Sequence, residues 1–306
     1  MTRADRAALA RRAGALLALV LAAVALDFVF RDLSLAELEA ALRRQPAWHI
    51  LACLALYDLV GAHVAAPGRV RARLALLAGA ASAAVANTLG FHAVSGSAVR
   101  AHLYLPAGLS GGEVARVVSM SWLSLVAGNM TMLAGAELFQ AATGTDPAWH
   151  AMLGVALEGL LLGWLWWLSR GPRELAFGRW RLPMPPASLA AMLMLLGAVE
   201  SGTAIAALYI LLPGDLTPPF DVFAVGCIAS VILGVVAHTP GGLGVFEASM
   251  TAILSGRGRP DLLAALLLYR LLYNLLPFML AVVVLGVRSG WKTFANLVAA
   301  QSGSGA

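Results

Sequence analysis

The chain has 306 residues, 60% of them hydrophobic and only 12% charged, with a mean hydropathy of +0.82. Soluble domains average about 45–50% apolar and about 25% charged, so an ordinary soluble enzyme, a disordered chain and a disulfide scaffold are excluded. The net charge of +5 comes from arginines set between apolar runs, which is the pattern of membrane topology rather than of nucleic-acid binding.

In chain order, the basic stretch with Arg3, Arg6, Arg11 and Arg12 precedes an apolar run at 13–30. More runs follow it instead of a soluble domain, so it reads as a first transmembrane helix and not a cleaved signal. Segment 31–47 alternates charge with leucine and reads as an interfacial amphipathic helix, with Ser34 and Glu37 as a capping box. Further runs of near-span length lie at 48–66, 74–94, 116–136, 150–168, 188–212, 221–237 and 262–287. The apolar piece Leu243–Leu254 is too short to span and reads as re-entrant or broken. The expected fold is therefore an all-α integral membrane protein of about eight transmembrane helices with two broken or re-entrant segments. Residues 1–290 form one membrane domain, with halves 1–169 and 186–290 joined by the basic, proline-rich linker 170–185. The polar tail 291–306 is expected to be disordered. Cys53 and Cys227 sit singly in apolar runs and read as packing residues.

Arginine placement orients the chain. The N-terminus, the loop at 67–73 (Arg69, Arg71, Arg73), the linker (Arg170, Arg173, Arg179, Arg181) and the C-terminal end (Arg288, Lys292) should all face the cytoplasm. Loop 213–220 carries no basic residue and should face outward. An even number of crossings must then separate 67–73 from the linker, and the linker from the C-terminus. Each interval holds three clear runs. The missing crossings fall on 95–115 and 238–261, both rich in glycine and carrying charge. They run in opposite directions, the pattern of an inverted-topology repeat with discontinuous helices at a substrate site.

Broken backbone inside a bilayer costs several kcal/mol per unpaired group unless protein or water covers it. The break candidates are Ser95 and Gly96 in the first segment and Pro240, Gly241, Gly242 and Gly244 in the second. Asp58, Glu158, Glu200 and Arg270 lie within runs, and Arg100 and Glu247 lie in the broken segments. A charge at the bilayer centre costs roughly 2.5–3.5 kcal/mol on the lenient insertion scale, so these groups should face a polar interior and compensate one another. Glu113, Arg116 and Glu137 lie near run ends and read as interfacial. Asn87, Ser95, Ser97, Asn129 and Asn274 suggest a wet interior, and Trp164, Trp166 and Trp167 an interfacial belt. His63, His92, His102 and His238 lack metal-ligand spacing, and no GK[ST] loop or GxSxG elbow is present. No metal or other cofactor is therefore expected.

The run NTLGFHAVSGSAVRAHLYLPAGLSGGEVARVV resembles the first signature of the lysylphosphatidylglycerol synthase transmembrane-region family, the flippase-like domain of MprF-type proteins. HTPGGLGVFEASM resembles its second signature, LLYRLLYNLLPFMLA its closing helix, and LALYDLVGAH its second helix. The resemblance covers about residues 48–287. It implies a multi-pass bacterial inner-membrane domain with a polar, lipid-sized cavity that moves aminoacylated phosphatidylglycerol between leaflets. Asp58, Arg100, Glu247 and Arg270 match its motif positions. Glu200 falls where relatives carry an acidic residue, although GAVESGTA around it matches less well. The soluble synthase domain of full-length relatives is missing, so the chain is expected to be a stand-alone member and not an enzyme.

The leading expectation is a lipid translocase for an anionic or aminoacylated phospholipid. The arginines would neutralise the phosphate, and the carboxylates would pair with them or hold a cationic head group. The alternative is a non-catalytic membrane subunit that scaffolds a separately encoded lipid- or glycan-modifying enzyme; it requires buried charges that pair fully and line no cavity. Membrane phospholipid is the expected partner, nucleic acid is not, and a homo-oligomer is left open.

Overall fold

A computed structural model describes residues 60–64, 66–89, 92–144, 147–177, 180–237 and 239–288. Asp58, Cys53, His238, the run at 13–30, the amphipathic segment and the C-terminal tail lie outside the described residues.

Helix α1 (Ala72–Leu89) is built almost entirely of small and aliphatic residues, and Ala75, Ala78, Gly79, Ala81, Ser82 and Ala86 are all buried. Small side chains let helix backbones approach closely where no hydrophobic effect drives them together. Helix α2 (His92–Tyr104) folds back along α1 and closes the first hairpin. It ends in a 3-10 turn, Leu105–Ala107, stopped by Gly108 at φ 92°, a conformation that a residue without Cβ adopts freely. Helix α3 (Gly111–Thr143) then starts at a capping box that the sequence analysis overlooked, although its Ser-x-x-Glu signature is legible. The Ser110 hydroxyl accepts from the Glu113 N–H at 3.3 Å, and Glu113 Oε2 accepts from the Ser110 N–H at 2.7 Å.

Helix α4 (Pro147–Ser169) lies against α3 with most of its surface outward. In the linker, strands β1 (Glu174–Phe177) and β2 (Trp180–Pro183) pair antiparallel as a small hairpin, the one departure from helix among the described residues. Trp166 and Trp167 stand just before it, with the Arg170 and Arg173 guanidinia over their rings, as an interfacial belt requires.

Helix α5 (Ala187–Leu211) makes the most extensive helix contact among the described residues, with α3. The two backbones meet at Gly128 and Gly197, where a Cβ on either would collide with the other's main chain. Ser124 seals the crossing by donating to the Leu193 carbonyl. Helix α6 (Phe220–Val236) descends to the turn Pro240–Gly242; the short helix α7 (Val245–Ile253) returns, and α8 (Pro260–Arg288) crosses again. The apolar core joins α5 to α8 through Leu208, Phe223, Ile228, Met250, Leu262 and Leu266, all buried. Among the described residues, five helices (α1, α3, α4, α5 and α8) are long and apolar enough to cross a membrane, and α6 is a shorter apolar helix. The chain is thus an all-α membrane protein, with two hairpins that carry the short helices.

The two hairpins point in opposite directions. At one face, Arg69 ties the loop before α1 to the loop after α2, through Glu113 at 2.6 Å and the Gly108 carbonyl. This face also carries Arg71, Arg73 and the linker, and is called here the basic face. At the other face, Arg259, just before α8, holds Asp215, just before α6, through two hydrogen bonds of 2.6 and 3.1 Å. Helix α8 is about 43 Å long at 1.5 Å per residue. Its far end packs Leu285 near the base of the first hairpin, while its start lies at the base of the second. Long–short–long units of opposite direction therefore occur once in each half.

Candidate functional site: the junction of the hairpin tips

The tips meet midway along α8. Thr88, at the end of α1, donates through Oγ1 to the carbonyl of Asn274 at 2.9 Å. That carbonyl sits in a π-helical segment, Leu271–Leu275; such bulges interrupt the regular ladder and recur at functional positions. The second tip arrives beside it. A Cβ placed on Gly241 would stand 2.7 Å from the Thr88 carbonyl oxygen, so only glycine lets the tips touch.

The sequence of the second tip explains its shape. Pro240 follows Thr239, and the Gly242 N–H donates to the Thr239 carbonyl at 3.0 Å. Gly241, Gly242 and Gly244 all take positive φ, at 58°, 69° and 79°. Side-chain-bearing residues avoid this region, which is why the block holds three glycines in four residues. The turn leaves carbonyls without helical partners, and Arg270 takes them up. Its Nη1 donates to the Gly241 carbonyl at 2.8 Å and its Nη2 to the Gly242 carbonyl at 3.1 Å. Its Nε donates to Glu247 Oε1. The other Glu247 oxygen accepts from the Gly244 N–H at 2.8 Å, which satisfies the first turn of α7. Both charged side chains are largely buried, at 12% and 15% exposure. An aromatic stack of Phe246, Tyr269 and Tyr273 flanks the pair, with ring separations of 6.5 and 5.1 Å. The Thr239 hydroxyl is buried beside the turn with no hydrogen-bond partner among the described residues.

Of the expected site residues, the structure gathers Glu247, Arg270, Pro240, Gly241, Gly242 and Gly244 into one cluster. Arg100 is buried in the first hairpin, where its Nη2 donates to the Ser121 hydroxyl of α3 at 3.1 Å. Glu200 is buried on α5, near enough to Tyr269 to act on it electrostatically. Asp58 is outside the described residues.

One expectation is corrected, that for Ser95 and Gly96. Ser95 and Gly96 do not form a break; both lie inside α2. The glycine serves close packing instead, since a Cβ there would come within 3.2 Å of Arg100 Nη1 and 3.5 Å of the Ala86 Cβ. Glu137 is 1% exposed and bound to Nδ1 of His150 at 2.6 Å, between α3 and α4. A lone carboxylate near a run end looks interfacial in sequence; only the packing of α4 on α3 supplies the histidine. Asn129 serves its own helix, donating to the Leu125 carbonyl at 2.8 Å. Thr88 was missed because nothing local distinguishes a helix-end threonine from any other.

A multi-pass helical membrane protein with two opposed hairpins is the class this architecture defines. Over 175 residues the chain is 30% identical to Inner membrane protein YbhN of Escherichia coli (strain K12), covering 54% of this chain and 53% of that protein. Over 110 residues it is 34% identical to the uncharacterized protein slr0712 of Synechocystis sp., covering 36% of this chain and 34% of that one. The chain thus spans about half the length of the first relative and about a third of the second. No family model matches it. The first of these relatives is named as an inner membrane protein.

Proposed function

We propose that this protein is a flippase-like lipid translocase of the bacterial inner membrane. It belongs in this reading to the lysylphosphatidylglycerol synthase transmembrane-region family and moves an anionic or aminoacylated phospholipid between leaflets. The observation that carries the reading is the meeting of two oppositely directed hairpins midway along α8 beside the Arg270–Glu247 pair. Opposed repeats with broken helices at their contact are the architecture on which alternating access is built. A head-group phosphate reaching the junction would compete with Glu247 for the guanidinium, and the Thr239 hydroxyl would add a hydrogen bond. The chain itself makes and breaks no covalent bond in this scheme.

A second reading, a membrane subunit that supports a separately encoded modifying enzyme, is favoured by one observation. Arg270 and Glu247 already satisfy each other and the break. A leaflet assay in liposomes separates the two. Fluorescent phosphatidylglycerol and its lysyl derivative are incorporated, and outer-leaflet label is read by quenching. The translocase reading expects one lipid to move faster with the protein than in empty vesicles. Movement of neither lipid overturns it and leaves the subunit reading.

A further inference from the structure

Away from the junction, α2 and α3 diverge to leave an open groove of about 610 Å³. Its walls include Ala101 of α2 and Gly111, Ala115, Val118, Ser119 and Trp122 of α3. We propose that this groove holds one acyl chain of an anionic phospholipid drawn from the leaflet at the basic face. The proposal rests on the translocase reading and gives it a place for the lipid tail.

Three observations specify the occupant. The first is dimension. Gly111 and Trp122 stand eleven residues apart on one helix, about 16 Å. That is the depth of one leaflet in a hydrocarbon core of about 30 Å, and the volume lies within the about 300–1,000 Å³ of sites that bury small ligands. The second is shape. Ala101, Ala115 and Gly111 hollow the wall, and a Cβ on Gly111 would meet nothing within 4 Å. The outward face of α4 is the opposite case, a surface of protruding Met152, Val155, Leu160 and Trp166 side chains. The third is charge. The Gly111 end of the groove opens at the basic face, beside the loop that Arg69 ties to Gly108 and Glu113. Arg71, just before α1, and Arg73, in its first turn, are exposed, and no carboxylate among the described residues pairs with them. A tail in the groove therefore sets its phosphate beside exposed guanidinia, whereas a neutral lipid gains only the apolar contact.

The test uses the full chain in phosphatidylcholine vesicles with a phosphatidylglycerol probe that carries a diazirine in its acyl chain. A matched phosphatidylcholine probe serves as the comparison. After illumination, labelled residues are mapped by mass spectrometry. The phosphatidylglycerol probe should label residues 111–122 severalfold more than the outward face of α4, while the phosphatidylcholine probe labels both alike. Ala115→Trp, at an exposed position whose replacement fills the groove, should remove the excess. Equal labelling of both surfaces by both probes overturns the proposal, as does an excess that survives Ala115→Trp. Labelling is read without transport. A chain that shows the excess and moves no lipid keeps the groove and loses the translocase reading; one that moves lipid without the excess does the reverse.

Discussion

The two hairpins meet the same difficulty, a short helix ending inside a membrane, with different chemistry. In the first, small residues set the approach of the helices. Ala86 and Gly96 let α1 and α2 close on each other, and one arginine, Arg100, is enclosed against Ser121. The second is held by polar bonds. Three positive-φ glycines form the turn, and Arg270 and Glu247 take up the backbone groups it frees. The difference teaches where rigidity and adaptability lie. Close apolar packing tolerates little exchange, whereas an ion pair beside a turn offers contacts that a charged guest can replace. That makes the second tip a candidate for the part that responds to a head group.

The largest expected effect breaks this comparison at its centre. Arg270→Ala strands the Glu247 carboxylate and two carbonyls together, a loss of roughly 3–5 kcal/mol for breaking a buried pair. Thermal unfolding in detergent should show a clearly lower midpoint than wild type. Arg270→Lys should recover only part of it, because an ammonium cannot present the planar fork that reaches Glu247, Gly241 and Gly242 at once. A midpoint unchanged in Arg270→Ala would show that the second hairpin does not depend on its polar bonds.

Next in size is a pair of glycine substitutions. Gly241→Ala faces both a left-handed backbone and the Thr88 carbonyl 2.7 Å away, and strained backbone alone costs about 1–3 kcal/mol. Gly108→Ala, at φ 92° with nothing within 4 Å, meets only the conformational cost, about 1 kcal/mol. Equal shifts in unfolding midpoint for the two would mean that the tips do not bear on each other as described.

The smallest effect sharpens the comparison at the base of the second hairpin. The hydrogen bond from Arg259 holds the Asp215 carboxyl below its ordinary value of 3.8. A depressed carboxylate adds stability that is fully present above its unfolded value and is lost as pH falls through its folded one. Wild type should therefore lose stability below about pH 4 slightly more steeply than Asp215→Asn. Parallel midpoint-against-pH curves would remove this link from the hairpin's anchorage.

Much of the architecture was legible in the residues. The apolar runs at 74–94, 116–136, 150–168, 188–212, 221–237 and 262–287 match helices α1, α3, α4, α5, α6 and α8 closely. Parity of the arginine-rich loops called for a fourth crossing in each half, at 95–115 and 238–261; the structure places there the short helices α2 and α7, each of which turns back at a hairpin tip. PGGLG read correctly as a break because positive φ is written in glycine. SGSAVR read as a break on the same grounds and is helix, because glycine also serves close packing and the one-dimensional string does not separate the two uses.

The sequence by itself determined the membrane setting, the apolar helices and the glycine turn, because hydropathy, charge and φ preference are properties of single residues and short windows. Only the tertiary structure decided the partners. That Arg270 meets Glu247 from 23 positions away, that Glu137 meets His150, and that Thr88 reaches Asn274 across 186 positions follow from which helix faces turn toward each other. Those faces are chosen by the summed packing of every helix, above all the glycine crossing of α3 and α5, and no local pattern carries that sum.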